Sequence, residues 1–197
     1  MYSLGGACVP RAIAACNNSI ARVTKTIRVR MREIAEVLRD DPDIKIINYV
    51  RDPRGTVASR MAIAPRGDWE KEAGTLCREM LQDEAVETAL TPIFPGRVLR
   101  VKYEDIALNP IETATDLYQT LKLGELHSNV KAFIEQMMGD SFKRIDSRRS
   151  PWTTSRKASE TVYKWKQTTK QTKIKLIESV PSCRDVFRRL DYPETVL

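Results

Sequence analysis

Apolar positions along the chain alternate between two periods. Residues 44–50 read IKIINYV, apolar at nearly every position. A short run of that kind predicts a central parallel strand covered on both faces. Val23 to Arg30 (VTKTIRVR) alternates, with Val23, Lys25, Ile27 and Val29 on one side, and predicts a short strand. Met31, Ile34, Ala35 and Leu38 then follow helical spacing until Asp40-Asp41-Pro42 ends the run. Asp52-Pro53 has the form of a helix N-cap followed by proline at the first helical position. Trp69, Ala73, Leu76, Cys77, Met80 and Leu81 mark one face of a longer helix, which Pro92 to Gly96 breaks. Arg97 to Tyr103 (RVLRVKY) predicts another strand.

The remaining third is helical by pattern. Asn109-Pro110-Ile111-Glu112 resembles a capping box, and Ile111, Ala114, Leu117, Tyr118 and Leu121 line the helix behind it. Gly124 is the expected C-terminal cap. Leu126 to Met138 and most of Ala158 to Val180 predict further helices, separated by a basic, hydroxyl-rich loop over Ser147 to Ser159. Strands alternating with helices predict an α/β domain with a largely parallel sheet. Ligands of such sheets sit beyond the carboxyl ends of the strands, and Arg51 lies at such an end.

Charge and composition narrow the chemistry. The 197 residues fit one domain with a real core. The 33 basic and 26 acidic residues give a net charge of +7, which suits an anionic partner or a solvated basic surface. No apolar run approaches a membrane span, and no signal peptide is read at the start. Cys8, Cys16, Cys77 and Cys183 contain no CxxC pair, and His127 is the only histidine, so a zinc site is not expected. Four cysteines allow three pairings, and all three stay open. No RNP, KH or helix-turn-helix pattern occurs, which ranks a nucleic-acid partner last.

The segment YVRDPRGTVASR combines these signals. Arg51 presents a planar fork to phosphate oxygens, and Asp52 starts a helix whose exposed N–H groups and positive dipole end face the same spot. Ser59 follows about two turns along. The alternative is a capped helix with a surface ion pair between Asp52 and Arg54.

This wording resembles the 3′-phosphate-binding segment of the carbohydrate sulfotransferases, enzymes of the Golgi that use 3′-phosphoadenosine 5′-phosphosulfate (PAPS). The galactose, N-acetylglucosamine and N-acetylgalactosamine 6-O-sulfotransferases are the group it is most similar to. RVLRVKYEDIALNPIETATDLYQTLKL, KTIRVRM, PWTTSRKASETVYKW and the closing Pro181-Ser182-Cys183 to Tyr192 resemble further family segments, in the right order. The resemblance implies that Arg51 and Ser59 contact the 3′-phosphate, that Asp52, Arg54, Gly55 and Thr56 also bind the nucleotide, and that Arg156 folds over it. Glu104 either orients substrate or holds Arg51 by an ion pair, the structural role being preferred. Trp69 and Trp165 are read as core residues, and His127 is assigned nothing.

The same resemblance implies a P-loop-type three-layer sandwich around a central, largely parallel sheet. It also implies a glycine- and serine-rich phosphosulfate loop of the form R-S/T-G-S-S after the first strand. No such segment occurs here; Ser3-Leu4-Gly5-Gly6 is the only glycine pair and lacks a neighbouring basic residue. The expectation is therefore an incomplete sheet, with residues 1–197 forming the C-terminal two-thirds of a sulfotransferase domain. Its reaction is sulfuryl transfer from PAPS, without a metal, to a hydroxyl of a glycan, glycoprotein or proteoglycan. No residue is assigned as the catalytic base. A full-length relative is a type II protein of the Golgi lumen, held to the membrane through an N-terminal anchor. The alternative is a catalytically dead nucleotide- or polyanion-binding fragment.

Overall fold

A computed structural model describes residues 8–19, 21–27, 29–138 and 157–193. Arg156 and the Ser3–Gly6 segment lie outside them, as does most of the loop expected over Ser147 to Ser159. The elements run α1 (Cys8–Asn17), α2 (Met31–Ile34), α3 (Val37–Asp40), β1 (Ile46–Val50), α4 (Pro53–Ile63), α5 (Trp69–Leu90) and β2 (Val98–Lys102). They continue with α6 (Tyr103–Leu108), α7 (Pro110–Thr120), α8 (Ser128–Met138), α9 (Ala158–Thr161), α10 (Lys164–Thr168), α11 (Gln171–Ser179) and α12 (Pro181–Arg189).

Among the described residues the sheet has two strands. β1 and β2 pair in parallel, Ile46 opposite Val98 and Val50 opposite Lys102, with α4 and α5 forming the crossover. Ile46 and Val50 are buried, whereas Ile47 and Tyr49 are 42% and 54% exposed. The expectation that β1 is covered on both faces is thus corrected: its inner residues pack toward α5 and its alternate residues face outward. On the inner face Asn48 Nδ2 donates to Glu87 Oε2 at 2.6 Å, and Arg100 Nε pairs with Glu87 Oε1 at 2.9 Å. These polar groups tie the middle of both strands to α5.

Residues 21–27, 29 and 30 form no strand, a second correction. Val23 and Ile27 are 91% and 78% exposed. Arg30 ends the segment by pairing with Glu79 and Asp83 on α5, and the Met31 N–H donates to Asp83 Oδ1. Charge anchors this stretch to a helix, where alternation predicted a sheet ladder.

The main core packs α5 against α4, α11 and α12. Val57, Met61, Ala73, Leu76, Ile177, Val186 and Phe187 meet there, and the Cys77–Cys183 disulfide joins α5 to α12 inside it. The structure forms this one bridge and leaves Cys16 free, so none of the three complete pairings is adopted. A second cluster of Met31, Leu38, Ile46, Leu90 and Val98 closes the start of the sheet. The helix predicted over Ala158 to Val180 is three pieces, α9 to α11, with Trp165 of α10 buried against Arg54 and Gly55 of α4. Trp69 packs half-buried against the main core.

Candidate functional site: the turn from β1 into α4

The turn forms as its residue types dictate. Asp52 caps α4, its Oδ1 accepting the Arg54 N–H at 2.8 Å, and Pro53 occupies the first helical position, where no N–H is needed. The Asp52 N–H donates to Glu104 Oε1 at 3.0 Å, and the Thr56 N–H donates to the Asp52 carbonyl. Gly55 is left as the first-turn residue whose N–H has no acceptor among the described residues. That N–H lies at the positive end of an 11-residue helix, the environment that favours an anion.

The two arginines of the turn separate sharply. Arg54 is 2% exposed. Its Nε donates to Asp52, its Nη1 to Glu178 Oε1 at 2.7 Å, and its Nη2 to Asp52 Oδ2 at 2.7 Å and to the Pro193 carbonyl at 2.8 Å. The rings of Trp165 and Phe187 cover its faces at 4.9 and 4.7 Å. Burial alone would depress its pKa, but the hydrogen bonds and charge of Asp52 and Glu178 outweigh that and raise it. The implied nucleotide role of Arg54 is corrected: its donors are spent inside the protein. The ion pair with Asp52 exists, yet it is buried, not on the surface.

Arg51 is half-buried and makes no ion pair with any described residue. Its guanidinium lies 4.4 Å above the centre of the Tyr103 ring, and its Nε is buried without a partner. A Cβ built on Gly55 would stand 3.4 Å from Arg51 Nε and 2.9 Å from the edge of Trp165. Arg51 therefore folds back over the Gly55 face of α4, and the Trp165 edge lies against the same face. Any side chain at position 55 would collide with that rigid ring. Ser59 lies one turn beyond Gly55 on the same face and is exposed. Thr56 is turned to its own backbone, its Oγ1 donating to the Asp52 carbonyl at 3.1 Å.

Glu104 makes no ion pair with Arg51. It is 7% exposed, and Oε1 is the acceptor that holds the Asp52 N–H while Oε2 is buried without a partner. Burial pushes its pKa up, against the pull of the Asp52 N–H and the Arg51 charge. It braces the turn through the Asp52 N–H, which corrects the expectation that its structural role is an ion pair with Arg51. Sequence reasoning missed two contributors: the Tyr103 ring under Arg51 and the Trp165 wall. The strand register carries a signal for the first, because Val50 opposite Lys102 makes Arg51 and Tyr103 the next residues of paired strands.

A cavity of about 350 Å³ opens between β2 and α7, away from this turn. Asp105, Glu112 and Asp116 line it, so its charge repels a phosphate. Among the described residues no group of side chains has the arrangement to hold a metal ion, and no helix is long and apolar enough to cross a membrane.

Comparison with known proteins shows the family. A sulfotransferase family model matches residues 11–127. A carbohydrate sulfotransferase 3 from Rattus norvegicus is 27% identical over 180 residues, 80% of this chain and 36% of its own length. The Homo sapiens carbohydrate sulfotransferase 3 is 30% identical over 132 residues, 56% of this chain and 27% of its own length. A carbohydrate sulfotransferase 1 from Mus musculus is 24% identical over 200 residues, covering 92% of this chain and 47% of its own. The chain thus spans less than half the length of each of these relatives. No solved structure matches it.

Proposed function

The chain belongs to the sulfotransferase family, and on that premise we propose that it holds the 3′-phosphate of PAPS within an enzyme that transfers a sulfuryl group to a carbohydrate hydroxyl. The observation that carries this reading is the contrast between the two arginines. Arg54 is neutralised by two carboxylates, whereas Arg51 keeps its charge beside the unaccepted Gly55 N–H. A phosphate at that turn would receive charge-assisted hydrogen bonds from Arg51, the helix-end N–H of Gly55 and the Ser59 hydroxyl. Asp52 and Glu104 keep the turn in shape, and Arg156 supplies a further cation from the C-terminal loop. PAPS brings the sulfuryl group itself; the residues described here bind and orient its 3′ end.

The wider reading follows from the same family. Residues 1–197 form part of one sulfotransferase domain, built as a P-loop-type sandwich in which β1 and β2 are two of the parallel strands. The acceptor is a sugar of a glycoprotein or a glycosaminoglycan chain, and the compartment is the Golgi lumen. The names of the relatives, carbohydrate sulfotransferases 1 and 3, support the carbohydrate acceptor.

Titrating adenosine 3′,5′-bisphosphate into the full chain tests the site. Arg51→Ala should weaken binding about 10- to 100-fold, the value of charged hydrogen bonds lost. Equal affinity of wild type and variant would overturn the assignment. A second reading is a nucleotide- or polyanion-binding chain without turnover. Transfer of labelled sulfate from PAPS to a glycan would exclude it.

A further inference from the structure

An arginine that must grip a phosphate has to be held still without being neutralised. A carboxylate partner fixes the side chain but takes up its N–H fork and its charge, as Asp52 and Glu178 do for Arg54. An aromatic face does the first without the second. It contacts the flat side of the guanidinium and leaves the N–H groups, which point outward in the plane, unengaged.

We propose that Tyr103 is the positioning residue for Arg51, its ring face fixing the guanidinium in the plane that presents the N–H fork to the nucleotide's 3′-phosphate. The inference rests on the reading above and deepens it.

The fold builds this contact from the strand register. Val50 is opposite Lys102, so the paired strands deliver Arg51 and Tyr103 side by side as both chains turn into helices. The Tyr103 ring lies under the guanidinium at 4.4 Å. The ring is itself propped on two further sides. Tyr49 of β1 meets it nearly edge-on, with centroids 6.4 Å apart and planes at 78°. The Tyr103 hydroxyl and Thr161 Oγ1 stand 3.4 Å apart, linking the ring to α9. Three elements therefore set the plane of a ring whose free face carries one unpaired arginine. Glu104, the next residue, spends Oε1 on the Asp52 N–H and does not compete for Arg51.

The test uses the full chain and two probes, adenosine 3′,5′-bisphosphate and adenosine 5′-monophosphate, which lacks the 3′-phosphate. Tyr103→Leu should weaken the bisphosphate about five- to tenfold and leave the monophosphate unchanged. Tyr103→Phe keeps the ring face and should restore bisphosphate binding to within about twofold of wild type. Thermal unfolding of each variant shows that the fold is intact, and Tyr103→Phe stands as the informative variant if Tyr103→Leu unfolds. The inference is overturned if Tyr103→Leu loses both probes equally, if it keeps the wild-type preference for the bisphosphate, or if Tyr103→Phe loses that preference. Failure of the 3′-phosphate reading looks different, because Arg51→Ala would then also leave the preference unaltered.

Discussion

Arg51 and Arg54 stand three positions apart with identical side chains, and their surroundings give them opposite roles. The distinction is invisible in YVRDPRGTVASR, because what decides it comes from elsewhere in the chain. Glu178, which closes the Arg54 network, is 124 positions away, and Tyr103 reaches Arg51 only through the pairing of β1 with β2. What was legible was the cap, since Asp52 and Pro53 are local chemistry. The buried network makes a strong prediction for stability. Arg54→Met keeps the bulk and apolar packing of the side chain but removes the buried cation that Asp52 and Glu178 share. Breaking one partner of a buried ionic network costs about 3–5 kcal/mol. Urea unfolding of wild type and Arg54→Met should differ by that amount at neutral pH, and a difference under about 1 kcal/mol, the worth of a surface pair, would show that Arg54 is not structural.

At the scale of elements, the sequence succeeded where the periodicity was long and failed where a short pattern had no partner. α5 was legible because its apolar face repeats over many turns and Asp68, accepting the Glu70 and Lys71 N–H groups, starts it. VTKTIRVR alternates well, but a strand requires a neighbour, and Arg30 finds carboxylates on α5 instead. The end of α7 shows a subtler failure. Gly124 has a positive φ and looks like the cap, yet the left-handed cap residue is Lys122, with φ of 57°. The Leu123 N–H donates to the Tyr118 carbonyl and the Lys122 N–H to the Gln119 carbonyl, the paired bonds of a Schellman ending. A lysine there has its Cβ against the following carbonyl, a strain that glycine lacks. Lys122→Gly should therefore stabilise the chain by about 0.5–1 kcal/mol, read as a raised urea midpoint. A lowered midpoint would mean that the lysine side chain contributes more than the backbone strain costs.

For the whole molecule, the question is what holds the helical core onto the β1–β2 pair, the parallel strands seen among the described residues, with one partly open face. Ile47 and Tyr49 leave apolar surface outside, so β1 is clamped mainly from the α5 side. α5 in turn is fixed to α12, and the disulfide between Cys77 and Cys183 crosses that interface with both residues fully buried. Sequence could not choose this pair among the six that four cysteines allow, because the choice depends on which helices pack together. The bridge spans 106 positions, so it restricts a long stretch of the unfolded chain, and a loop of that length corresponds to ~4–5 kcal/mol of chain entropy. The paired substitution Cys77→Ala and Cys183→Ala removes the constraint and leaves a small void at the centre of the core, so destabilisation should reach or exceed that range. Two measurements separate the contributions. Wild-type chain unfolded in guanidinium with and without reductant isolates the cross-link, and the double variant adds the void. Because neither sulfur reaches solvent, reductant should act only when the chain opens, so the native thiols should appear no faster than global unfolding. Equal midpoints with and without reductant would show that the α5–α12 core, not the bridge, keeps the turn from β1 into α4 in register with the rest of the fold.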